Sequence, residues 1–209
     1  MHIPDGFLSA NTWMPAWGVS VLMLWYCLKK TARILKDRMI PLMGVMAAFI
    51  FAAQMLNFPV MGGTSGHLLG GVLAAVLLGP YAGAIVIALV LVVQCLIFQD
   101  GGLTALGANI LNMSGIGAMG GYAVYNFIRK VLPEEEKGII VGAGVAAWLS
   151  VICASCACAA ELAFSGTSPL RAVLPAMVGV HTLIGAGEAV ITCLVISFVL
   201  KARPDLVYK

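Results

Sequence analysis

An all-α integral membrane protein of about seven transmembrane helices is the fold this sequence predicts, with the N-terminus outside and the C-terminus inside. Three observations carry the prediction. Of 209 residues, 61% are apolar and only 10% are charged, against roughly 25% charged in ordinary soluble domains, and the mean hydropathy is +1.02. Apolar stretches near the 20 residues that a bilayer requires recur along the chain. Lys and Arg fall in alternate loops rather than evenly. So little charge cannot coat a soluble domain of this size, which excludes a soluble enzyme, a nucleic-acid binder and a disordered chain. We read residues 1–209 as one transmembrane domain.

The first span is read over 11–28, where Trp13, Trp17, Trp25 and Tyr26 stand like interfacial aromatics. A basic stretch follows, and the second span covers 40–58. A glycine-rich loop at 61–66 leads to a short third span, 67–79, cut by Gly79-Pro80. A dozen residues cannot cross straight alone, so this segment is expected to be re-entrant or kinked, and the count of seven can shift by one. Spans four and five cover 81–98 and 103–128, joined by the Gln99-Asp100-Gly101-Gly102 turn. A polar linker at 129–137 precedes span six, 138–162. Span seven is 172–200, with a short basic tail behind it.

Placing the loop after span one in the cytoplasm puts Lys29, Lys30, Arg33, Lys36, Arg38, Arg129, Lys130, Lys137, Lys201, Arg203 and Lys209 inside, and Arg171 alone outside. The positive-inside rule therefore decides the orientation, and it brings residue 1 and the His67 loop to the same outer face. The first ten residues lack the basic start of a secretory signal, so the mature chain is expected to begin near residue 1. The sequence contains no Gly-x-x-x-x-Gly-Lys-Ser/Thr phosphate loop; any ATP hydrolysis belongs to another subunit.

Met1 precedes the large residue His2, so it is expected to stay in place with a free amine. The amine, the His2 amide nitrogen and His2 Nδ1 form a planar chelator with a five-membered and a six-membered ring. Planar nitrogen donors favour Ni(II) or Cu(II), and His67 is the candidate fourth donor. The amide must lose its proton, so binding should weaken as pH falls. Asp5 is expected to accept from an imidazole N–H, while Pro4 and Gly6 turn the segment back toward the membrane. Spacing alone leaves open that His2 is an unstructured terminal residue and His67 an interfacial side chain.

The runs Met1-His2-Ile3-Pro4-Asp5-Gly6-Phe7-Leu8-Ser9, Gly62-Gly63-Thr64-Ser65-Gly66-His67-Leu68 and Gln99-Asp100-Gly101-Gly102-Leu103-Thr104-Ala105-Leu106-Gly107-Ala108-Asn109 closely resemble the substrate-binding S component of energy-coupling-factor nickel/cobalt transporters, the CbiM/NikM family. The resemblance covers essentially the whole chain. It implies a multi-pass protein of the prokaryotic inner membrane whose N-terminal segment, residues 1–10, plugs into the bundle from outside. It implies Ni(II) or Co(II) as transported substrate, held by the Met1 amine, the His2 amide and imidazole, and the His67 imidazole. The implied partners are a T-component membrane scaffold, ABC-type ATPase subunits and a small accessory membrane subunit, with lipid around the bundle. Asp5, Ser65 and His181 are candidates for the surroundings of the site or the metal path. Ala48 and Ala52 are candidates for the T-component contact, with ordinary packing as the other reading of such small residues.

His181 and Glu188 share a face of span seven and are read as more structural than functional, since an ionisable group in a bilayer usually has a partner. Glu161 is read as solvated. Cys153, Cys156 and Cys158 do not share one helix face and read as small buried thiols. Gln54, Gln94, Asn109, Asn112 and Ser114 are candidates to hold the N-terminal segment by hydrogen bonds. The leading function is a metal-capture subunit of an ATP-driven importer. A stand-alone permease or channel is the alternative, and a membrane metalloenzyme is disfavoured because acid, base and nucleophile do not converge.

Overall fold

The computed structural model describes residues 1–37, 39–60 and 64–208. Arg38, Met61, Gly62, Gly63 and Lys209, on which parts of the charge count and of the second motif rest, lie outside the described residues. Helices dominate: α1 (Ala10–Ile34), α2 (Met39–Gln54), α3 (Gly71–Leu78), α4 (Pro80–Ile97), α5 (Leu106–Ile110), α6 (Gly121–Val131), α7 (Glu135–Phe164) and α8 (Leu170–Ala202). A π-helical stretch, Leu111–Gly120, joins α5 to α6 without a break. Three helices, α4, α7 and α8, are long and apolar enough to cross a membrane, and α2 is a shorter apolar helix.

All eight residues of α3 are buried. A helix apolar on every side belongs in the middle of a bundle, and α3 packs against α2, α4, α6, α7, α8 and the π segment. This explains the weak third span. The chain first descends as a two-stranded antiparallel ribbon, β1 (Phe58–Val60) with β2 (Thr64–Gly66), in the register Pro59↔Ser65. It continues through His67 to Gly70 and only then becomes helical. Eight residues make about 12 Å of helix, so His67 sits deep inside the bundle rather than at its rim. At the far end of α3, Gly79 takes φ 86° and Pro80 opens α4 at its first position, where a missing N–H costs nothing.

Small residues let these helices touch. A Cβ at Gly83 would come 2.8 Å from Ala75 Cα, and one at Gly71 would come 2.7 Å from the Gly117 carbonyl carbon. In lipid, where the apolar driving force between helices is weak, such close packing is the main adhesive. The wide turn of the π stretch is one the periodicity of span five does not anticipate. It presents Ser114 to the Ala84 carbonyl at 2.7 Å and Asn112 to Glu161 at 2.6 Å.

The bundle has two distinct ends. Residues 1–12, the 98–105 loop and the α7–α8 turn meet at one: Ser165 donates to Thr12 at 2.9 Å, and Thr167 donates to the Phe7 carbonyl. At the other end Tyr208 N–H reaches Val76 O at 2.9 Å. Arg33, Lys36 and Asp205 border a cavity of about 570 Å³ there, and Arg129 and Lys201 border a neighbouring one of about 360 Å³. Arg171 starts α8 at the N-terminal end. The cysteines are free thiols; Cys158 is buried as expected, whereas Cys153 is exposed on the outer face of α7.

Gly83→Val is expected to lower stability by about 1–3 kcal/mol through overpacking of α4 on α3. Thermal unfolding in detergent reads it as a drop in midpoint; an unchanged midpoint contradicts the close approach.

Candidate metal centre

The N-terminal segment is bound through its main chain. Ile3 N–H donates to Asn109 Oδ1 at 2.9 Å, and the Ile3 carbonyl accepts from Asn109 Nδ2 at 3.2 Å and from Gly102 N–H at 2.9 Å. One amide side chain thus satisfies both polar groups of a residue with no exposed surface. Gly101 and Gly102 form the bed. A Cβ at Gly101 would crowd Asn109 and His2, and one at Gly102 would run into the Asp5 main-chain nitrogen. Gly6, at φ 82°, turns the chain into α1.

This seating buries the chain end. Met1 has no exposed surface, His2 is 4% exposed and His67 is 1% exposed. The Met1 amine lies 2.6 Å from His67 Nε2. The two imidazoles stack at 4.5 Å between centroids. The amine and two further nitrogens converge on the Ser65 hydroxyl: Oγ lies 3.4 Å from the Met1 amine, 3.2 Å from the His2 amide and 3.4 Å from His2 Nδ1. Two donors bound cis to one metal at about 2 Å each stand about 2.8 Å apart, close to the spacing of the amine and His67 Nε2.

Hydrogen bonds fix both tautomers. His67 Nδ1–H donates to the Leu68 carbonyl at 2.8 Å, which leaves the Nε2 lone pair facing the amine. His2 Nε2–H donates to Gln94 Oε1 at 3.0 Å, which leaves the lone pair on Nδ1. Both free lone pairs point into one space, with the outer nitrogens held as in metal-bound histidines.

Burial also removes competing protons. It lowers the Met1 amine from 8.0 to about 5, and burial followed by the neighbouring amine lowers His2 from 6.5 to about 3. At neutral pH the amine and the His2 imidazole are therefore uncharged donors. The unseated amine takes a proton below pH 8, the seated one only below about 5. Seating of the segment is therefore favoured at high pH; it loses up to about tenfold per unit as pH falls from 8 to 6.5, and more steeply below 6.5, where the unseated His2 also takes a proton.

Met1, His2, Ser65 and His67 thus come together as the sequence suggests. Asp5 does not play the expected part. Its oxygens accept from Leu103 N–H at 3.0 Å, Thr104 N–H at 2.7 Å and the Thr104 hydroxyl, because the turn at Gly6 directs it sideways onto the 103–104 loop. The carboxylate beside His2 is Asp100, 3.4 Å from Nδ1; it lies in the third motif and follows residues that curl back under the segment. His181 is fully buried on α8, donates Nδ1–H to Met177 O at 2.8 Å, and its Nε2 has no hydrogen-bond partner among the described residues. Ala48 and Ala52 lie exposed on the outer face of α2, away from the site. Of the polar candidates, Gln94 and Asn109 hold the segment, Gln54 binds Leu69 O at 2.7 Å, and Asn112 binds Glu161, which is half-buried rather than freely solvated. Among the described residues no three His, Cys, Asp or Glu side chains gather with metal-holding geometry. The candidate donors would draw half their nitrogens from the main chain.

Gly102→Ala is expected to unseat the segment. Hydrogen exchange at the Ile3 amide, slow in the wild type, should accelerate at least tenfold; unchanged protection contradicts the packing.

The family model described as cobalt uptake substrate-specific transmembrane region matches residues 2–206. A protein of Archaeoglobus fulgidus named as a fused nickel transport protein NikMN is 42% identical over 209 residues, covering 99% of this chain and 68% of that one. A Methanocaldococcus jannaschii protein named as a cobalt transport protein CbiM is 30% identical over 214 residues, covering 100% of this chain and 91% of that one. A solved structure described as a truncated transition metal transporter superposes with a TM-score of 0.88 at 33% identity, over 97% of this chain and 99% of the other. With a match that runs almost end to end, the chain belongs to the CbiM family of cobalt uptake substrate-specific transmembrane regions.

Proposed function

We propose that this protein captures Ni(II) or Co(II) outside the cell through four nitrogens: the Met1 amine, the His2 amide, His2 Nδ1 and His67 Nε2. The observation that carries the reading is the placement of a buried amine 2.6 Å from the His67 Nε2 nitrogen, with the remaining two chelate nitrogens turned to one Ser65 oxygen. Four nitrogens close to one plane favour Ni(II) over ions that prefer oxygen. The relatives named for nickel and cobalt support the same substrate class. Binding is not catalysis here: the metal is cargo and enters and leaves unchanged.

In this reading the chain is one domain with seven crossings, the third being the ribbon, the His67 loop and α3 together. The metal site faces outside, and the basic end faces the cytoplasm of a prokaryotic cell, as eleven of its twelve Lys and Arg residues require. The protein acts as the S component of an ATP-driven importer, with ATPase subunits, a T-component scaffold and a small accessory membrane subunit as partners. Gly44, Ala48 and Ala52 form an exposed small-residue stripe on α2, which suits close contact with a scaffold helix. His181, with its free Nε2 behind the site, lies on the path inward. Asp5 braces the 103–104 loop.

Two outcomes test the site. One residue added before Met1 moves the amine and leaves no room for the displaced end, so Ni(II) affinity by calorimetry should fall by more than about a hundredfold; native affinity in the extended protein contradicts the reading. His67→Ala should weaken binding by at least the roughly 10–100-fold that losing an outer-shell partner costs. The pH dependence is equally specific. Because the amine is already uncharged above about pH 5, only the amide proton leaves on binding. Log affinity should therefore rise by about one per pH unit between pH 6 and 8 and more steeply below pH 5. A slope near two across the neutral range would mean an ordinary, solvated amine. Metal uptake by vesicles holding this chain alone, without ATP, would point instead to a permease.

A further inference from the structure

His67 reaches the Met1 amine from a four-residue loop that ends where α3 begins. That loop is gripped from two sides. Glu188 of α8, 1% exposed, accepts from Leu69 N–H at 2.6 Å with one oxygen and from Gly70 N–H at 2.9 Å with the other. From the opposite side Gln54, the last residue of α2, donates Nε2–H to the Leu69 carbonyl at 2.7 Å. The loop also cannot relax toward α2. Gly70 takes φ 74°, and a Cβ there would come 2.9 Å from the Ile50 side chain.

Every helix start leaves main-chain N–H groups without partners, and a side chain at the cap ordinarily serves them. Here the cap position is Gly70, with no side-chain cap bond. The acceptor comes instead from a residue 118 and 119 positions away. A carboxylate this deep in a bundle is costly to bury, whereas a local Ser or Asp would cap α3 more cheaply. What the distant carboxylate adds is a rigid link between the loop and α8. Helix α8 also meets the other side of His67, where Thr64 Oγ1 donates to Met177 Sδ at 3.0 Å. His67 in turn orients its ring through Nδ1–H on the Leu68 carbonyl, which belongs to the same peptide unit as the Leu69 N–H that Glu188 binds.

We infer that Glu188 is a positioning residue for the metal site. It holds the Leu69–Gly70 peptide, with Gln54 as its counterpart, and so sets His67 Nε2 against the Met1 amine. The fourth donor thereby rides on α8 and α2, while the other three ride on the N-terminal segment. This inference rests on the four-nitrogen reading above.

The test is a double-mutant cycle on the purified full chain in detergent, titrated with Ni(II) alone. Glu188→Gln keeps the size but sets an NH₂ against a main-chain N–H. It should weaken Ni(II) binding about 10–100-fold, the usual effect of losing an outer-shell partner, and should shift the visible spectrum of bound Ni(II) toward that of His67→Ala. In the His67→Ala background the same change should alter affinity by less than about twofold, because the Met1 and His2 chelate no longer depends on the loop. Gln54→Met should follow the same pattern and decides the matter if Glu188→Gln does not fold. Wild-type affinity in Glu188→Gln, or an equal loss with and without His67, overturns the inference and leaves Glu188 a fold-stabilising residue. A wild-type chain that binds no Ni(II) overturns the four-nitrogen reading itself, which is a separate result.

Discussion

A chain-terminal amine with no exposed surface, held 2.6 Å from a histidine nitrogen, is the constraint around which this bundle is organised. Termini normally stay in water because a buried charge is expensive. Burying this one requires that it be neutral and that every polar group in the segment behind it be matched. Asn109 and Gly102 match Ile3, Gln94 matches His2, and the 103–104 loop matches Asp5. The two glycines at 101 and 102 are the steric side of the same requirement: Gly102 lies directly on the Pro4–Asp5 main chain, and Gly101 leaves room for the Asn109 and His2 side chains.

The depth of the site follows from the third crossing. A full helix there would place residue 67 near the rim. The ribbon and loop instead carry His67 into the bundle and leave only eight residues of helix below it. In apolar surroundings the polar groups of such irregular backbone must be satisfied by protein. Gln54 and Glu188 supply the bonds at Leu69 and Gly70, so two otherwise puzzling buried polar side chains are explained by one stretch of extended chain. On the proposed reading the site has two separately supported halves, the N-terminal segment and the His67 loop.

The two halves differ in how far the sequence reveals them. Met1, His2 and His67 are legible as candidates because chelate spacing and a shared face can be read along the chain, and the motif resemblance singles them out where spacing alone leaves them open. The order of the helices is legible for the same reason, since hydropathy is a local property; their bounds are less so, as α1 runs on to Ile34, α2 stops at Gln54 and a ribbon and loop replace the start of the third span. Asp100 beside His2 is not, because its approach depends on Gln99 at φ 55° and Gly101 at φ 93° folding the loop under the segment. Nor is the partner of Glu188, which lies more than a hundred residues away and is main chain, without a side-chain signature. Asp5 misleads for a related reason. Its proximity to His2 in sequence suggests contact, but the turn at Gly6 sends the two side chains in different directions. The π stretch is invisible to a hydropathy pattern, because adding one residue to a turn leaves the composition of a glycine- and alanine-rich span unchanged.

If four nitrogens, two of them from the main chain of residues 1 and 2, make up the whole equatorial shell, then X-ray absorption on the Ni(II)-loaded protein at neutral pH should show a four-coordinate ion with only nitrogen neighbours at about 2 Å and the edge of a square plane, and the loaded protein should be diamagnetic. A six-coordinate, paramagnetic ion with oxygen neighbours rules the four-nitrogen shell out.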